Sequence, residues 1–232
     1  MHRGGAGDVR GYAGLNRYVG LDIGGTKCAV SIGTEEGTGL RIMAREAINT
    51  PVDQREAMNR LLALAERLLA GERAAGVGIS AGGPMDVESG MLQNPPNLPG
   101  WSGLSLTRLA GERLNALCVM ENDANACALA EWRWGAGQGA RNLVFLTFGT
   151  GLGAGIVLDG RILRGATGDA GELGHWRLFG NGPAGYGKLG SFEGFCSGGG
   201  IRQLALTVGE RYRQNGAAPA YWQAEKIDAK TV

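Results

Sequence analysis

A strand, a glycine turn and a second strand occur twice in this chain, and that repetition constrains its fold more than any other feature. Residues 17–23 alternate in polarity and run into Gly24-Gly25-Thr26-Lys27, after which residues 28–32 are again strand-like. Residues 142–148 lead in the same way into Gly149-Thr150-Gly151-Leu152-Gly153 and a strand at 154–158, followed by the hairpin signal Asp159-Gly160. Two copies of one unit suggest two similar domains facing each other. We expect an extension over residues 1–16, a first α/β domain over 17–122 and a second over 123–232. A third strand at 40–48 gives the first domain an antiparallel start to a mixed sheet. Met58, Leu61, Leu62, Ala65, Leu68 and Leu69 recur at helical spacing, so 51–69 reads as a helix with one face on that sheet. Strands are expected at 76–80 and 116–120, helices at 104–114, 124–134 and 192–210, and a weakly patterned polar end. The Gly/Pro/Asn segment 81–103 reads as a long loop, functional or mobile.

Composition narrows the function. Among 232 residues, 23 Lys and Arg balance 22 Asp and Glu, so nothing in the charge calls for a nucleic acid or an acidic partner. The 43 glycines are not periodic, which excludes a collagen-like chain. No apolar run approaches the length of a membrane span. Residues 1–16 are Gly-rich and lack the apolar core of a signal peptide, so they read as a disordered extension of a cytoplasmic protein. Cys28, Cys118, Cys127 and Cys196 are then expected as reduced thiols, and none are paired at zinc-ligand spacing.

The chemistry gathers at a few places. Glu121-Asn122-Asp123-Ala124-Asn125-Ala126 sits where a buried strand ends and an Ala-rich helix begins, which is where open α/β sheets bind ligands. Asp123 also suits a helix N-cap. The turn at Gly24-Gly25 joins strand to strand, so it is neither a dinucleotide fingerprint nor a Walker loop. Its glycines let backbone N–H groups approach an anion, and Thr26 and Lys27 add donors. A tight hairpin would use Gly-Gly as well. Asp22 is suited to a hydrated Mg²⁺, and Gly149-Thr150-Gly151 offers a second set of donors. Glu172 and His175 lie three apart among glycines, which suits hydrogen bonding to a polyol; the neighbouring ligands are too few for a metal.

These segments, together with Gly82-Gly83-Pro84-Met85-Asp86, Asn94-Pro95-Pro96-Asn97-Leu98-Pro99-Gly100-Trp101 and Gly168 to His175, resemble in order the ROK family of sugar kinases and repressors. The resemblance implies an actin-like ATPase (ribonuclease H-like) fold of two domains with sugar and ATP in a cleft. It implies a glucokinase-like hexose kinase using ATP and Mg²⁺, acting as a homodimer. Asp123 would be the catalytic base. Asn97, Asn122, Glu172, His175 and Glu193 would bind the sugar together with Asp123. Asp22, Gly24, Gly25, Thr26, Lys27, Gly149, Thr150 and Gly151 would bind the phosphates and Mg²⁺. The alternative is a sugar-binding regulator of the same family without kinase activity.

Three departures qualify this. The family's zinc motif falls on Ala184 to Glu193, where its three cysteine positions hold Ala184, Tyr186 and Ser191. No zinc is therefore expected, and packing of Trp176, Phe179, Tyr186 and Phe192, stiffened by Pro183, is expected to order the loop instead. Residues 1–16 cannot form the repressors' helix-turn-helix. The family's chains also continue past the position of Val232, so a C-terminally truncated member with an incomplete second domain, and poor ATP binding, is expected.

Overall fold

The computed structural model describes residues 16–149 and 151–232; residues 1–15 and Thr150 lie outside them, including nearly all of the expected extension. Two compact units divide the chain, one running to Asp123 and the other from Ala124 to Val232.

The first unit is built on a five-stranded mixed sheet. Its strands are β1 (Arg17–Ile23), β2 (Lys27–Glu36), β3 (Gly39–Asn49), β4 (Ala74–Ala81) and, after an intervening small sheet β5–β7, β8 (Cys118–Asn122), in the order β3-β2-β1-β4-β8. The first three form an antiparallel meander, while β4 and β8 run parallel to β1. Alternation in β1 buries Val19, Leu21 and Ile23 and leaves Asp22 exposed. Helix α1 (Gln54–Leu69) starts three residues later than the apolar spacing alone suggests. Pro51 and Val52 lie outside it, and the Asp53 side chain caps it by accepting Glu56 N–H at 2.7 Å. Its Ala57, Met58, Leu61, Leu62 and Ala65 are fully buried in the same cluster as the sheet residues.

Residues 81–103 are not an unstructured loop. They contain β5 (Met85–Asp86), β6 (Met91–Gln93) and the start of β7 (Ser102–Ser105), a small antiparallel sheet. Leu92, Leu98 and Trp101 bury themselves against the core, and Trp101 Nε1–H donates to Val52 O at 3.1 Å. The polar spacing hid this because only three of its large apolar residues are buried, scattered among turn residues. Helix α2 (Leu106–Leu114) follows, capped by Ser105.

The second unit starts within α3 (Asp123–Trp134) and continues into a three-stranded antiparallel sheet of β9 (Leu143–Phe148), β10 (Leu152–Leu158) and β11 (Arg161–Ile162). A 3-10 turn at Leu173–His175 and a hairpin of β12 (Ala184–Gly185) and β13 (Lys188–Leu189) come next. The expected helix over 192–210 is two helices, α4 (Phe192–Cys196) and α5 (Gly198–Gln214). Ser197 breaks it: its N–H still reaches Glu193 O, but its hydroxyl turns to cap Gly200 N–H at 3.1 Å. The polar end is also structured. A 3-10 turn at Ala220–Gln223 places Tyr221 Oη–H on Ala205 O and the Trp222 ring beside Gly209. No described helix is long and apolar enough to cross a membrane.

Candidate functional site

In the first unit the expected residues collect at one edge of the sheet. Strands β1, β4 and β8 end in register, with Ile23 beside Ala81 and Ala81 beside Asn122. Asp22, the Gly24–Lys27 turn, Asn122 and Asp123 therefore share the carboxyl edge of three parallel strands. Asp22 and Asp123 are close enough to interact. Loss of water around the Asp22 carboxyl raises its pKa above the ordinary value, Arg45 at 3.8 Å pulls it back, and the Asp123 charge adds a smaller upward push. Asn122 N–H donates to the Glu121 side chain at 3.0 Å, and the Asn122 amide lies beside Gly83. Asp123 is the first residue of α3, one step inside the cap position that its sequence context suggests.

Asn97 reaches the same edge through backbone packing. A Cβ on Gly25 would lie 2.6 Å from Asn97 O and 2.9 Å from Asn97 Cβ, so the first glycine turn is the seat of the Asn97 loop. That loop is shaped by Asn94, which adopts φ 54° and whose side chain accepts Gly100 N–H at 2.7 Å.

Two contributors were not visible in the sequence. Thr50 locks the turn: its hydroxyl donates to Gly24 O at 2.6 Å and lies 3.3 Å from Cys28 Sγ, while its N–H reaches Thr26 O. Arg45 meets Asp22 because β3 lies two strands away, with the small side chain of Ala29 opposite Asp22 between them. Both depend on strand pairing, which leaves no local signal.

In the second unit the glycine turn, Glu172, His175 and Glu193 form a second group. Gly149 N–H donates to Gly151 O, and Gly198 N–H donates to Gly149 O at 2.9 Å. Glu193 Oε2 accepts Leu152 N–H at 3.0 Å, and a Cβ on Gly151 would lie 2.6 Å from that oxygen. Glu193, expected as a sugar ligand, thus also braces the second turn. His175 Nε2 is 3.8 Å from Glu172, and its ring stacks on Tyr186 at 4.5 Å. A cavity of about 520 Å³ bordered by Phe179, Pro183, Phe195, Leu204 and Arg211 contains none of the expected site residues.

The residues at the family's zinc positions do not fit the metal. Ala184 has no donor atom, and Ser191 Oγ is engaged with Gly194 N–H and Gly185 O. No cluster of three His, Cys, Asp or Glu side chains suited to a metal occurs among the described residues. The expected aromatic cluster is different in detail. Trp176, Phe179 and Tyr186 remain more than 60% exposed; Tyr186 stacks on His175, and Phe179 packs edge-on to Phe195 rather than Phe192.

Residues 18–232 match the ROK family. The chain is 34% identical to the glucokinase of Thermotoga maritima over 215 residues, covering 92% of this chain and 68% of that protein. It is 35% identical to the glucokinase of Streptomyces coelicolor, covering 78% of this chain but only 56% of the relative. A xylose repressor from Caldicellulosiruptor bescii also matches, at 34% identity over 67% of this chain and 38% of its own. The crystal structure of a ROK family glucokinase from Streptomyces griseus, in complex with glucose and AMPPNP, superposes with a TM-score of 0.67 at 33% identity, over 88% of this chain and 64% of that one. The chain therefore belongs to the ROK family and has that family's actin-like ATPase fold.

Proposed function

We propose that this protein transfers the γ-phosphoryl group of MgATP to a hexose hydroxyl. The observation that carries this reading is the carboxyl edge of the first sheet, where the Gly24–Lys27 turn, the Asp22–Asp123 pair and the Asn97 loop lie together. Phosphoryl transfer needs little covalent help from the protein; it needs positioning and charge neutralisation. Asp123 accepts the proton of the attacking hydroxyl as the new bond acidifies it. Asn97, Asn122, Glu172, His175 and Glu193 hydrogen-bond the hexose and orient that hydroxyl. Gly24 and Gly149 shape the two turns, their N–H groups donating to Lys27 O and Gly151 O, while the backbone N–H groups of Gly25 and Gly151, with Thr26, Lys27 and Thr150, hold the phosphates. Asp22 is suited to the water shell of the nucleotide's Mg²⁺, which neutralises phosphoryl charge. The glucokinase relatives support the same chemistry, whereas the xylose repressor match favours a second reading, a sugar-responsive regulator without turnover.

An ADP-release assay with glucose, mannose, fructose and N-acetylated hexosamines separates the two. The kinase reading expects hexose-dependent ADP release that Asp123→Asn lowers by about a hundredfold or more, with sugar affinity nearly unchanged. Calorimetric hexose binding without ADP release from the unaltered protein would favour the regulator.

A further inference from the structure

The hairpin β12–β13 connects two of the expected sugar ligands of the second unit, His175 and Glu193, through three consecutive residues. Ala184 is held at both of its backbone polar groups by the Gln203 side chain of α5. Its N–H donates to Gln203 Oε1 at 2.9 Å, and Gln203 Nε2–H donates to its carbonyl at 2.7 Å. Gly185 sits directly on α4, where a Cβ would lie 2.7 Å from Glu193 Cβ, and its carbonyl accepts the Ser191 hydroxyl. Tyr186 lays its ring on the His175 imidazole, 25° from parallel, and Lys188 Nζ donates to His175 O at 2.7 Å. One edge of a carboxamide presents an N–H donor and an oxygen acceptor side by side, so Gln203 satisfies both backbone groups of Ala184 as the paired residue of a neighbouring antiparallel strand would. Glu at this position would lose the donor, and Met would lose both groups.

We propose that Gln203 is a positioning residue: by clamping Ala184 to α5 it fixes the hairpin, and the hairpin fixes His175 and Glu193. In this chain a side-chain amide takes over the ordering role for which its zinc-position residues are unsuited. The effect on sugar binding rests on the reading of His175 and Glu193 as hexose ligands; the ordering of the hairpin does not.

Two measurements on the full chain decide it. Hydrogen–deuterium exchange without ligand should show about tenfold faster exchange over residues 184–196 in Gln203→Met, with α1 unchanged. NMR should show the His175 ring resonances losing the shift imposed by the Tyr186 ring. With D-glucose as the probe, KM should rise about tenfold while kcat stays within about twofold, since the loss falls on ground-state and transition-state binding alike. If Gln203→Met does not fold, Gln203→Glu, which removes only the donor to Ala184, should move the same readouts in the same direction. Unchanged exchange and unchanged His175 resonances would overturn the clamp. Faster exchange with unchanged glucose KM would overturn the positioning role and leave a purely structural contact. If the unaltered protein neither binds nor phosphorylates any hexose of the panel, the kinase and sugar-binding readings fail. The effect on sugar falls with them, while exchange and NMR still decide the clamp.

Discussion

The two units use the same strand–turn–strand device but support it in different ways. Around the first turn, Leu21, Ile23, Cys28 and Val30 are at most 1% exposed and belong to one cluster with α1, β4 and α2. Side-chain volume sets the turn's position there. Around the second turn the backbone itself is the packing material. Gly155 presses on α3 at Ala124 and Ala128, Gly174 on Leu152, Gly194 on Pro183 and Gly200 on Gly194. On β9, Val144 and Phe148 are nearly 60% exposed. A turn resting on a core is stabilised by buried area; a turn resting on glycines depends on close approach and on hydrogen bonds such as Glu193 to Leu152 N–H.

The difference should appear most strongly in core truncation. Leu61→Ala in α1, at a fully buried position, is expected to cost about 2–5 kcal/mol, whereas Phe148→Ala in β9 should stay within about 0.5 kcal/mol. Urea unfolding measures both, and a comparable loss at Phe148 would break the contrast. Next in size is Gly155→Ala. Its new methyl would collide with the Ala124 carbonyl and the Ala128 side chain, at an expected cost of about 1–3 kcal/mol. Gly78→Ala in β4, where a Cβ meets nothing within 4 Å, should be neutral or slightly stabilising. If Gly78→Ala proves the more damaging, glycine packing does not distinguish the units.

A smaller effect concerns pH. Burial pushes the Cys118 thiol of β8 from 9.0 up to about 11. A raised pKa means that stability from this group is fully present below about pH 9 and is lost as pH rises towards 11, because the unfolded chain ionises first. The unaltered protein should therefore lose on the order of 1 kcal/mol more than Cys118→Ala between pH 8 and 11, allowing for solvent at this half-buried position. Parallel stability curves for the two proteins would refute it. The smallest effect is at the surface: Arg113 of α2 grips Glu66 of α1 with two hydrogen bonds, at 2.9 and 2.8 Å. Glu66→Gln should cost about 0.2–1 kcal/mol, and less in high salt; a salt-independent loss would argue against an ionic origin.

Strand and helix types, and their order, could be read from the sequence by itself, because apolar periodicity records which face of each element must be buried. The alternation at 17–23 and the spacing from Met58 to Leu69 are local and strong. The break at Ser197 was legible in principle, since three glycines after a serine cannot propagate a helix readily. The small sheet at 85–105 was not, because its anchors Leu92, Leu98 and Trp101 are scattered among turn residues. The candidate site was legible as motifs but not as an arrangement. Nothing local in the sequence says that β8 lies beside β4, which carries Asp123 towards Asp22. Nor does it say that Asn97 rests on Gly25, that Thr50 locks Gly24, or that Gln203 holds Ala184. Those pairings join residues far apart in the chain, and they are selected by which buried faces and unsatisfied backbone groups fit one another once the chain is compact. The sequence determined the parts and their chemistry; the tertiary structure decided which parts meet.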